Sequence, residues 1–185
     1  MILFASGRTD VVAFYMPWLM NRLRAGFVDV RNPYYAQQVT RYALNPAVVD
    51  ALVFCTKNPA PLLPYLDELR SFGIALYFFV TITPYGTDVE PHVPPKAQVM
   101  QSFCTLSERV GAERMCWRYD PIFVDATYTA AGHIRAFRTL AEQLAPYTGR
   151  CIISFVDLYA KTRRNFPELT EVGEADQKFI AQAFA

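Results

Sequence analysis

The sequence predicts an α/β domain: a partial or six-unit (β/α) barrel of the TIM type, with a doubly wound open parallel sheet as the alternative. Three observations lead there. Short apolar runs start near residues 2, 27, 51, 74, 114 and 151, and they are apolar at successive positions, as strands covered on both faces are. Segments with apolar residues three and four apart separate several of them, which is helical spacing. The runs also finish alike, in charged or hydroxylated residues followed by Pro or Gly. A closed eight-unit barrel takes ~250 residues, so the 185 residues here suit about six units in one domain, 1–185. The doubly wound alternative lacks the Gly-x-Gly-x-x-Gly that a dinucleotide fold carries after its first strand.

Ile2 to Ala5 reads as a first strand, punctuated by Ser6-Gly7-Arg8-Thr9-Asp10. Val11 to Tyr15 carries no clear assignment. Pro17 suits the first position of a helix, where its missing N–H would be unpaired in any case, and Gly26 suits the stop. Phe27 to Val30 is the next strand, closed by Arg31-Asn32-Pro33, and Val39 to Ala43 adds a short extended piece. Ala51 to Cys55 is a strand ended by Thr56-Lys57-Asn58-Pro59; Leu62 to Phe72 is a helix with Gly73 as its stop. Ile74 to Thr81 is apolar until its last residue and runs into a proline-rich loop from Thr83 to Pro95. A loop of that length without structure of its own is expected to act as a lid.

Lys96 to Val110 carries Val99, Phe103, Leu106 and Val110 on one helical face, with Gly111 beyond. Met115 to Tyr119 is a strand. Thr129 is a good N-cap for a helix through Leu144 that turns Ile134, Phe137, Leu140 and Leu144 inward. Cys151 to Val156 is the last strand, Tyr159 to Phe166 lies in a loop, and Gly173 to Ala185 is a final helix.

Composition excludes several classes. A chain of this length buries roughly 70% of its unfolded surface, and 52% hydrophobic residues supply the core. No apolar run reaches the length of a membrane span, and no basic n-region with a long apolar stretch opens the chain, so a cytoplasmic location and no membrane contact are expected. A net charge of +1 argues against a large phosphate-binding footprint. Cys55, Cys104, Cys116 and Cys151 lie far apart in apolar runs and are expected to be reduced core residues. His92 and His133 follow no strand, so no metal site is expected.

Ligand sites of parallel α/β folds sit at the C-terminal strand ends. Those ends carry five cations, Arg8, Arg31, Lys57, Arg118 and Lys161, and three carboxylates, Asp10, Asp120 and Asp157. Arginine grips phosphate or carboxylate bidentately, and an aspartate can orient it or hold a ligand hydroxyl, so these eight residues form the expected site for an anionic small molecule. Mutual pairing of the same charges is the competing reading. Within Trp117-Arg118-Tyr119-Asp120, strand alternation sends Trp117 and Tyr119 to the helices and Arg118 and Asp120 together to the mouth. A poorly hydrated arginine needs a carboxylate, for which Asp10, Asp120 and Asp157 are at hand. Lys57 could activate Cys55 as a nucleophile, against a plain core role. The basic and aromatic residues from Tyr159 to Phe166 are the feature that fits a nucleic-acid partner.

The segments Ser-Gly-Arg-Thr-Asp (6–10), Val-Arg-Asn-Pro (30–33), Phe-Cys-Thr-Lys-Asn-Pro (54–59), Trp-Arg-Tyr-Asp-Pro-Ile (117–122) and Ile-Ser-Phe-Val-Asp-Leu-Tyr-Ala-Lys (153–161) together resemble an uncharacterised bacterial domain-of-unknown-function family. Fuller members of that family continue into a C-terminal Cys-x-x-x-Cys-x-x-Cys cluster similar to the iron-sulfur motif of radical S-adenosylmethionine enzymes. The resemblance implies a partial (β/α) barrel. It also implies an iron-sulfur cluster and S-adenosylmethionine in a longer form. This sequence holds no such cluster, so the chain is expected either to be a fragment of a longer enzyme or to be a short form without the cofactor. The competing functional class is a non-catalytic module for a nucleotide or nucleic acid.

Overall fold

The computed structural model describes residues 1–185. Strand β1 (Ile2–Phe4) leads into helix α1 (Val11–Ala25). Asp10 caps that helix, its side chain accepting from the Ala13 N–H at 2.9 Å, and Gly26 ends it in the left-handed conformation, φ 75°. The helix therefore begins before Pro17, because the cap at Asp10 starts it. It breaks at Tyr15, whose φ of −135° is not helical, two residues ahead of the proline.

Strands β2 (Phe27–Arg31) and β3 (Val39–Ala43) form an antiparallel ribbon, in register from Phe27 opposite Ala43 to Arg31 opposite Val39. The run at residue 27 is thus not a barrel unit. Its link to β3, Asn32 to Gln38, is shorter than the dozen or so residues that a parallel crossover needs.

Strand β4 (Ala51–Thr56) is followed by a 3-10 turn, Ala60–Tyr65, and by helix α2 (Leu66–Ser71). Pro61 and Pro64 account for the tighter turn where one helix was expected. Strand β5 (Ala75–Thr81) and helix α3 (Lys96–Val110) agree with expectation. Strand β6 (Met115–Ile122) runs three residues further than the apolar run suggests, and its Asp120–Pro121 peptide is cis. Helix α4 (Ala130–Leu144) starts at Thr129, whose hydroxyl accepts from the Gly132 N–H at 3.1 Å. Strand β7 (Cys151–Phe155), helix α5 (Ala160–Asn165) and helix α6 (Glu174–Phe184) complete the chain. The expected loop after Tyr159 is therefore partly helical.

The parallel sheet has five strands in the order β1-β4-β5-β6-β7. Its first and last strands are edges and do not pair, so the expected six-unit closure is not seen. The α/β class and the open parallel sheet flanked by helices are. Residues of β4 and β5 that face the helices, among them Leu52, Phe54, Leu76, Phe78 and Val80, are buried, whereas the alternating Val53, Cys55, Tyr77 and Phe79 are partly or largely exposed. Covering is thus one-sided here, although the runs are apolar on both sides.

One core cluster of 27 buried residues joins α1, α2, α3, α4 and α6 to the covered face. Phe137 of α4 stacks on Trp117 at 4.9 Å and on Phe184 of α6 at 3.7 Å, with Tyr119 edge-on beneath. Burying aromatic and branched side chains stabilises by ~1.5–3 kcal/mol each, so this packing sets the position of β6.

Candidate functional site

The C-terminal ends of the parallel strands open into a cavity of about 680 Å³. Five of the eight expected residues line it: Asp10, Lys57, Arg118, Asp120 and Asp157. Its wall thus carries two of the five cations and all three carboxylates. What matters is which of these are already matched.

Asp10 is fully engaged. One carboxylate oxygen caps α1, and the other accepts from the Thr56 hydroxyl at 2.8 Å and the Lys57 N–H at 3.0 Å. Ser6 adds a second tie, its hydroxyl accepting from the Cys55 N–H at 3.2 Å. These bonds lock the loop after β1 to the end of β4, because a buried N–H left without a partner is costly.

Alternation along β6 works as the sequence indicates. Trp117 and Tyr119 enter the core, while Arg118 and Asp120 both face the cavity. The carboxylate that meets Arg118 is Asp120, paired through Nη2, and Asp120 in turn accepts from the Ser154 hydroxyl on β7. Nη1 of Arg118 donates to Cys55 Sγ at 3.0 Å. The arginine side chain is 33% exposed and the aspartate 9%, so the pair presents guanidinium, not carboxylate, to the cavity. A guanidinium has more N–H donors than these two contacts use.

Lys57 is matched by Glu90, a residue the sequence did not single out. Glu90 also takes Lys96 at 2.5 Å and the Thr83 hydroxyl at 3.0 Å, and only 8% of its side chain is exposed. Burial pushes its carboxyl up, but the hydrogen bonds and charges of Lys57 and Lys96 outweigh burial and hold it below the usual range. Glu90 also anchors the loop expected to be a lid. Asp88 in that loop accepts from the Tyr128 hydroxyl at 2.9 Å, and Val93 packs on the core. His92, Val93 and Pro94 line the cavity.

Asp157 lines the cavity and forms no ion pair. Lys161, in the first turn of α5, is exposed and outside the lining. Arg8 and Arg31 line a different groove, between α1 and the ribbon, where Arg8 donates to the Arg31 carbonyl at 3.1 Å. The cavity and this groove adjoin at Phe4 and Gly7.

Sequence reasoning also missed Ser154, which sits inside an apolar strand. The signal was present: a hydroxyl alternating with Ile153 and Phe155 has to leave the covered face. His133 is buried within hydrogen-bond distance of two groups, Nε2 at 2.8 Å from the Phe123 carbonyl and Nδ1 at 2.9 Å from the Tyr119 hydroxyl. A carbonyl only accepts, so Nε2 carries the proton and Nδ1 receives one from Tyr119. Burial lowers the imidazole pKa, and the ring acts as a neutral brace between β6 and α4.

The cysteines are all free, and only Cys116 is buried; Cys55 and Cys104 are partly covered and Cys151 is exposed. They sit on β4, α3, β6 and β7, and no three His, Cys, Asp or Glu side chains converge to hold a metal ion. No helix is long and apolar enough to cross a membrane.

No curated protein and no solved structure matches the sequence. One family model does, over residues 2–185, which is nearly the whole chain, and the strand ends that build the cavity all fall inside the match. The chain belongs to the family described as a domain of unknown function, DUF1848.

Proposed function

We propose that this domain binds a small anionic ligand in the cavity at the strand ends, with Arg118 as the anion anchor. One observation carries the reading. Arg118 is held in place by Asp120, and Asp120 by Ser154, so the guanidinium is pre-oriented and still has donors to offer. Lys57 lines the same cavity, and although it pairs with Glu90, that carboxylate also takes Lys96, so the three side chains together leave one positive charge beside the site. Asp157, with no ion pair of its own, is the acceptor for a ligand hydroxyl or amine. Asp120 has its charge offset by Arg118, and the Asp10 oxygens are turned to the Ala13 and Lys57 N–H groups and the Thr56 hydroxyl. The ligand class is a phosphate or carboxylate that also carries a hydrogen-bond donor.

Radical S-adenosylmethionine chemistry in a longer form is the role that the sequence resemblance implies, and this cavity would be its substrate pocket. Chemistry of that kind would take its cluster thiolates from outside these residues. Calorimetric titration with inorganic phosphate, glycerol phosphate and glycolate tests the binding. The wild type should bind at least one of the three, and Arg118→Met should lose it by about tenfold or more. Equal affinity in both proteins would make Arg118 structural and remove the site.

A further inference from the structure

The groove between α1 and the β2–β3 ribbon holds about 570 Å³ and is lined by three arginines, Arg8, Arg22 and Arg31, that form no ion pair within the chain. The acid on its wall, Asp29, is taken by Arg41 through two hydrogen bonds of 2.7 and 2.8 Å, and these hold its carboxyl below the usual range. Arg22 has its Nε shut away from water with no hydrogen-bond partner. Such a group costs stability unless something else satisfies it.

The rest of the lining is mostly apolar, and it includes two aromatic side chains that the fold leaves about half exposed, Tyr15 and Trp18. Tyr15, where α1 breaks, and Trp18 one turn later both line the groove. A bare inorganic ion would leave this apolar wall unused, and an uncharged ring would leave three guanidinium groups unmatched. Arginine takes phosphate or carboxylate bidentately, and exposed indole and phenol rings stack flat partners.

We propose that this groove is a second binding site, for a planar aromatic anion whose ring lies on Tyr15 and Trp18 and whose phosphate or carboxylate meets Arg8, Arg22 and Arg31. A nucleotide and an aromatic carboxylate share that chemistry. The groove adjoins the cavity at Phe4 and Gly7 but shares no charged residue with it, so either site can fail without the other.

Trp18 supplies the readout. The other tryptophan, Trp117, is buried beneath Phe137, so a ligand-dependent change in indole emission reports Trp18. The probes are adenosine monophosphate, 4-hydroxybenzoate, adenosine and inorganic phosphate. At least one of the first two should quench saturably, with adenosine and phosphate weaker by about tenfold or more because each offers half of the contacts. Binding by the nucleotide alone, or by the benzoate alone, supports the site and names its source. Arg31→Met, at an exposed ribbon position, should lose about tenfold, and Arg118→Met should change nothing. Arg8→Met, also exposed, replaces Arg31→Met if that variant does not fold. Three results overturn the proposal: no saturable change with either aromatic anion up to about 10 mM, wild-type affinity in the groove variant, or loss of the signal in Arg118→Met.

Discussion

Arg118 reaches across β5 to place Nη1 3.0 Å from Cys55 Sγ on β4, while Nη2 holds Asp120 on its own strand. With Ser154 on Asp120, one guanidinium ties three strand ends together. The two contacts are unequal, because a charged carboxylate is the stronger acceptor and a thiol a weak one.

Substitution should rank them. Cys55→Ala is expected to leave anion affinity within about threefold, since Asp120 still orients the arginine. Asp120→Asn should weaken anion binding more, and should cost roughly 1–2 kcal/mol of stability, limited because the freed arginine can turn toward water. Titration calorimetry and urea melts on both variants check the order.

Asp10 is expected to be structural in measurement although it lines the cavity. Asp10→Ala removes a helix cap and strands the Thr56 hydroxyl and the Lys57 N–H, so ~2–3 kcal/mol should be lost in urea denaturation. Asp10→Asn keeps one accepting oxygen and should lose about half as much.

Glu90 should make the cavity acid-sensitive. Its carboxyl titrates below the ordinary 4.5, so its contribution is complete above that pH and is lost as pH falls through the lowered value. Glu90→Gln should be less stable than wild type by ~1–2 kcal/mol at neutral pH, where Lys57 and Lys96 lose their partner, and the gap should shrink as pH falls below 4.5. Hydrogen exchange across residues 84–95 should quicken in the variant, since Glu90 anchors that loop.

His133 sets a separate window. Its pKa is lowered by burial from 6.5, so the unfolded chain takes up a proton first as pH drops. Wild-type stability should therefore decline once pH falls below about 6.5 and level off below the folded-state pKa. His133→Gln, which can meet one of its two partners, should flatten that decline while lowering stability at neutral pH. Thermal melts across the range separate this slope from the Glu90 effect at lower pH.

The parts legible in the sequence were those fixed by neighbours in the chain. Helices α3 and α4 fall where their spacing and, for α4, its Thr129 cap place them, and the alternation of Trp117 to Asp120 came out in the expected sense. The strand at Phe27 was misassigned to the barrel because an apolar run does not reveal whether its partner is parallel. The reach of Glu90 to Lys57, 33 residues away, leaves no local period to read. Arg8 and Arg31 end apolar runs like the others, yet the ribbon turns them into a different groove. Only the fold could sort which strand-end charges face one another.

The most direct test of the central claim is an electron-density map of crystals grown with tungstate, a heavy oxyanion, at near-neutral pH. The account predicts the anion at the cavity floor, in hydrogen-bond contact with Arg118 and within reach of Lys57, with the Asp120 and Ser154 contacts intact. An anion found only against Arg8 and Arg31, with the Arg118 guanidinium free of it, would contradict the claim.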